Sequence, residues 1–160
     1  MPYTMKVEGL DEISKMLSEM ENKAAAVASK ALYVGAGIMA EELNKSAERI
    51  KTAPFHYAVF VTREPSPEEK EIITNAGAGI APFGNGGTEV ETSVGYANSG
   101  YAMLKGRMKP IPQIVNAINS GTSFMKKQPF VRKAASTGGK KATKAMKEII
   151  ETEFEAMIKK

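Results

Sequence analysis

The side chains able to do covalent or metal chemistry are few in this chain of 160 residues, so they can be taken one by one. His56 is the only histidine and Asp11 the only aspartate, and there is no cysteine. A serine-histidine-aspartate triad would have to use these two residues, and no serine sits in a G-x-S-x-G elbow. Without cysteine there are no disulfides, no thiolate nucleophile and no Cys-type zinc site. A histidine-rich metal site cannot be built within one chain. The glutamates mostly fall beside lysines on helical segments and read as solvated faces.

One stretch has the glycine content of a phosphate cradle: "NAGAGIAPFGNGG", Asn75 to Gly87. It matches neither G-x-G-x-x-G nor the P-loop, which ends in Gly-Lys-Ser/Thr. It reads instead as a mobile surface loop carrying Gly77, Gly79, Gly84, Gly86 and Gly87. The sequence therefore predicts no catalytic residue, no cofactor site and no metal site.

The charge distribution is more informative. The net charge is +4, yet no acidic residue occurs between Glu91 and Glu148, an interval holding eleven lysines and arginines. The remainder of the chain then carries a net charge of −7. Such polarity within one small domain points to a partner surface, either nucleic acid or the acidic face of another subunit. The interval has only two arginines, and Tyr96, Tyr101, Phe124 and Phe130 are not interleaved as a base-stacking platform. No helix-turn-helix or zinc pattern is present.

The elements that must position these charges follow from periodicity. "PYTMKVEG" reads as a short strand, and Asp11 as the N-cap of the helix after it. Leu10, Ile13, Leu17, Met20, Ala24, Val27, Ala31, Val34 and Ile38 keep a 3-4 spacing, predicting a helix to about Ile50 with one narrow apolar seam. The seam serves either a core or an oligomer contact. Gly35 and Gly37 each weaken that helix by about 1 kcal/mol relative to Ala, so they mark a kink or a close backbone approach.

"HYAVFVTRE" reads as a strand, with pairing expected around Tyr57–Val61. Ser66, Pro67, two acids and Gly77 delimit a helix. Thr88–Tyr96 alternates as a strand with one buried face, and "NSGYAMLKGRMKP" reads as a basic, glycine-punctuated loop. Pro112 and Gly121 bracket a short helix that turns Ile114, Val115 and Ile118 inward. Pro129 opens a last helix that Gly138-Gly139 is expected to break. The fold class is thus α+β: a small, mainly antiparallel sheet packed on one face by a long N-terminal helix and a C-terminal helix. One domain spans residues 1–160, and no apolar run is long enough to span a bilayer.

In order and spacing these segments resemble the small tail-component family of long-tailed phages and prophages, the neck or tail-completion proteins. The match begins at "VEGLDEISKML", Val7 to Leu17, and continues through the Ala- and Lys-rich helix ending in "AEELNKSA". It is most specific in "VNAINSGTSFMKKQPFVRKA", where a short helix, a Gly-Thr turn, a basic spacer and a Pro-Phe-Val-Arg helix opening follow one another. The chain lacks the family's Pro-x-x-Thr-Gly turn after the long helix, and residues 51–87 read as an insertion or remodelled region.

The resemblance implies a non-enzymatic virion part: a homo-oligomeric ring, such as a hexamer, at the head–tail junction or the upper end of the tail. It would assemble in the host cytoplasm against a tail terminator or tail-tube protein and a head-completion protein. DNA in the channel would be touched without sequence readout, and no membrane is involved. Under this reading Pro129 and Phe130 anchor the helix start while Lys126, Lys127 and Arg132 form the assembly edge. The alternative is a basic DNA-binding protein without sequence specificity.

Overall fold

The computed structural model describes residues 10–53, 63–80, 84–86, 89–96 and 100–159. Helix α1 runs from Leu10 to Glu48, and α2 from Pro67 to Ala76. Six short strands follow: β1 Gly79–Ile80, β2 Gly84–Gly86, β3 Glu89–Glu91, β4 Val94–Gly95, β5 Tyr101–Leu104 and β6 Arg107–Pro110. Helix α3 spans Ile111–Ser120, and α4 spans Phe130–Ile158. The chain is α+β, as the sequence predicts, and the three strand pairs among the described residues are antiparallel. The strands expected at the N-terminus and around Tyr57–Val61 fall outside the described residues.

The long helices α1 and α4 lie antiparallel. The Ser46 hydroxyl donates to the Phe130 carbonyl at 2.8 Å, Lys141 reaches Glu42 at 2.5 Å, and Lys30 pairs with Glu153. Small residues let the two helices close. A Cβ built on Gly35 would stand 2.7 Å from the Met146 sulfur, and one on Gly138 would stand 3.0 Å from the Met39 sulfur. Gly35 is thus used for close approach, and α1 continues through it.

Several expectations are corrected. Gly138-Gly139 does not break α4, because packing of Gly138 on Met39 and Glu42 offsets its weak helix propensity. Asp11 lies inside the first turn of α1 rather than capping it. The glycine stretch is not a loop along its length. Gly77 ends α2 at φ +68°, Gly79 enters β1, and Gly84 and Gly86 enter β2, whereas Gly87 lies outside the described residues.

These glycine strands are the partners of the predicted Thr88–Tyr96 strand. Gly79 faces Gly95, and Gly84 faces Glu91. The two pairings form separate two-stranded ladders, and the predicted strand is interrupted at Thr92 and Ser93.

"YAMLKGRMKP" is a hairpin, not a loop. Tyr101 pairs with Pro110 and Met103 with Met108 across a Lys105-Gly106 turn. Both turn residues have positive φ, 52° and 72°, which is the geometry of a type I′ connection.

The core gathers at one end of the helix pair. Leu43 and Ala47 of α1 and Ile50 just beyond it meet Ile73 of α2, Leu104 of β5, Ile114 and Ile118 of α3, and Phe130 of α4. Helix α2 docks there through an ion pair as well as Ile73. Ser66 and Glu69 complete a reciprocal capping box, and Arg63 grips both Glu69 oxygens at 2.7 Å.

Candidate assembly interface

The segment that the sequence singled out, Gly121 to Arg132, is held by backbone bonds on both sides. Gly121 ends α3, donating its N–H to the Ala117 carbonyl at 2.9 Å. Its φ of +78° favours glycine, and a Cβ there would lie 3.0 Å from the Lys127 nitrogen. Thr122 closes the next turn: its hydroxyl accepts from the Met125 N–H at 3.0 Å, and its own N–H donates to the Met125 carbonyl at 3.0 Å. Met125 is buried, while Phe124 beside it is 66% exposed.

A single parallel bridge ties this turn to the strand-like residues before α2. Arg63 N–H donates to the Phe124 carbonyl, and Lys126 N–H to the Arg63 carbonyl, both at 2.8 Å. The backbone of Lys126 is therefore fixed while its side chain stays in solvent.

Gln128 joins the junction to the end of α1. Its amide donates to the Lys51 carbonyl at 2.8 Å and accepts from the Lys51 N–H at 2.9 Å, imitating a strand pair with one side chain. Pro129 then sits at φ −76°, ψ 60°, with Phe130 N–H donating to the Gln128 carbonyl at 2.7 Å. This is an inverse γ-turn, and it launches α4 without a side-chain cap on Pro129. The Asn119 side chain on α3 supplies the missing acceptor for Val131 N–H at 3.2 Å.

Phe130 is buried and meets Tyr96 edge to face, with 6.4 Å between ring centroids. Burial pushes the Tyr96 hydroxyl up to about 12, and among the described residues that hydroxyl has no hydrogen-bond partner.

Pro129 and Phe130 thus anchor the helix start, and Lys126, Lys127 and Arg132 are all exposed around it. The helix packing adds cations that the linear charge map does not reveal. A groove of about 230 Å³ between the end of α1 and the start of α4 is lined by Lys45, Arg49 and Lys133 beside Gln128, Pro129 and Phe130. Lys45 and Arg49 lie far outside the acid-free interval and join it only through the antiparallel register. Glu42, at the same groove, is claimed by Lys141, whose hydrogen bond holds its carboxyl below the ordinary value.

His56 lies outside the described residues. Among the described residues no three His, Cys, Asp or Glu side chains gather as a metal site, and no helix is long and apolar enough to cross a membrane. No family model, no curated protein and no solved structure matches this chain.

Proposed function

We propose that the protein is a non-enzymatic structural part of a phage virion, a ring-forming neck or tail-completion component at the head–tail junction or the upper end of the tail. The observation that carries this reading is the junction itself. Its backbone is bonded to α1, α3 and the segment before α2, and it holds a buried aromatic and a set of exposed cations, with no reactive side chain among them. Rigid display of charge serves register and steering between subunits. In a closed ring, one subunit's basic edge meets its neighbour's acidic surface in a heterologous contact.

The cations that helix packing adds at Lys45 and Arg49 also favour a subsidiary contact with DNA phosphates in a channel. Such binding to duplex would be weak, independent of sequence and steeply salt-dependent.

The test is Lys126→Glu combined with Lys127→Glu and Arg132→Glu. Exposed charges contribute little to stability, so the melting temperature should stay close to the parent's. Native mass and negative-stain imaging, with and without a tail-tube protein, should show rings for the parent and none for the variant. A variant that assembles like the parent removes this edge as an interface.

A further inference from the structure

The groove at the junction has walls set by helix periodicity. One wall is Glu42, Lys45 and Ser46 of α1 with Arg49 just beyond it, and the other is Phe130, Lys133, Ala134 and Thr137 of α4. Each set follows the i, i+3, i+4, i+7 pattern of one helix face. The groove therefore runs along the helix pair for about two turns, roughly 10 Å.

Its charge is not balanced from within. Lys45, Arg49 and Lys133 are exposed along the two walls, while Ile50, Pro129 and Phe130 give an apolar floor. Glu42 is the one carboxylate in the lining, and it is already engaged: Lys141 bonds it at 2.5 Å, and Lys45 stands 3.9 Å from it. Among the described residues no carboxylate lies within ion-pair distance of Arg49 or Lys133.

We infer that this groove binds an acidic segment of a partner protein, laid along it in extended form with carboxylates at alternate positions. Lys45 and Arg49 are four positions apart, roughly 6 Å along a helix. Alternate residues of an extended chain face the same way and repeat at roughly 6.6–6.8 Å. Two glutamates so spaced can each meet a cation while their methylene stems lie on the apolar floor. The width also selects the occupant. Packed helices have axes about 8–10 Å apart, so the groove takes one extended chain. A duplex, whose major groove alone is about 12 Å wide, can touch these cations only from outside. Single-stranded nucleic acid holds on by stacking its bases on open rings, and the one ring in the lining, Phe130, is buried.

Shift titration of the isotope-labelled subunit with blocked peptides tests this. Thr-Glu-Thr-Glu-Thr should move the amides of residues 45–50 and 128–137. Its isomer Thr-Glu-Glu-Thr-Thr has the same charge but turns the carboxylates to opposite faces, and should bind at least about threefold more weakly. Thr-Gln-Thr-Gln-Thr should not bind. Arg49→Glu with Lys133→Glu should weaken the first peptide at least about tenfold. Lys144→Glu with Lys147→Glu makes the same change in net charge roughly 16 Å or more from Lys133 along α4, beyond the screening length of about 8 Å at physiological salt. That variant should leave binding within about twofold of the parent. All four side chains are exposed, so unchanged thermal melts show that both variants fold.

The inference fails if the first peptide moves no amides or moves others, if the glutamine peptide binds as well, or if the two reversals weaken binding equally. It fails too if a short oligothymidylate of equal charge binds the groove more tightly, which would make it a phosphate site. The peptide comparisons use the parent alone, so they stand even if a variant misfolds. The partner is defined by its carboxylates and the subunit alone suffices, so failure here leaves the ring reading, tested at Lys126, Lys127 and Arg132, standing.

Discussion

The two ends of the α1–α4 pair are built from different side chains. At the end holding Ser46 and Phe130, α3, α2 and the β5 hairpin form further layers over the helices. Large residues are buried there: Leu43, Ile50, Ile73, Ile114, Ile118 and Phe130. Toward Ile158, among the described residues, the helices pack on each other. The buried apolar residues there are small, among them Val27, Ala31, Ala36 and Ala142, and Tyr33, Val34, Ile150 and Phe154 remain exposed. Two helices bury one narrow seam, and the rest of each apolar face needs another layer. The apolar spacing of α1 is regular along its length, so spacing alone does not distinguish a core from a surface awaiting a partner.

The largest effect should come from emptying the layered end. Phe130→Ala is expected to cost roughly 3–5 kcal/mol, because its ring is fully enclosed against Tyr96 and the core. Phe154→Ala at the free end should change subunit stability by less than about 1 kcal/mol. Chemical denaturation of both variants measures the difference directly. Similar losses at the two sites would remove the distinction between the ends.

A smaller effect, dependent on pH, should mark the docking of α2. Burial disfavours the Glu69 carboxylate, but hydrogen bonds from Arg63 and the Ser66 N–H outweigh it and hold the carboxyl below its ordinary value of 4.5. A depressed folded value means this stabilisation is present above pH 4.5 and is lost as pH falls through the folded value. Glu69→Gln should cost about 2 kcal/mol near neutrality. The gap between variant and parent should narrow below pH 4.5 in urea melts across pH. A constant gap across that range would show that the ion pair contributes nothing.

The smallest effect compares neighbours within α4. A Cβ on Gly139 meets nothing within 4 Å, whereas one on Gly138 lies 3.1 Å from the Glu42 Cβ. Gly139→Ala should therefore stabilise by about 0.5–1 kcal/mol. For Gly138→Ala, crowding should cancel or reverse that gain. Thermal melts of the two should separate, with Gly139→Ala the higher.

The sequence by itself determined the elements whose signals are local. Ser66, Pro67 and Glu69 define the start of α2 within four residues. Pro112 and Gly121 bracket α3, and Pro129 with Phe130 opens α4. Each of these boundaries is set by hydrogen bonds or φ angles that neighbouring residues supply, so it is legible one residue at a time. The cationic edge was legible for the same reason, since Lys126, Lys127 and Arg132 flank a marked helix start.

Tertiary structure decided the rest. The hairpin at Tyr101–Pro110 turns on Lys105-Gly106, and Lys at a positive φ carries none of the Asn-Gly signal that marks such turns. Gly138 stays helical because Met39 and Glu42 lie against it from α1. Lys45 and Arg49 join the junction's cations, and Gln128 clasps Lys51, only because α1 and α4 run antiparallel. These contacts join residues 77 or more positions apart, and chain spacing does not encode separations closed by packing.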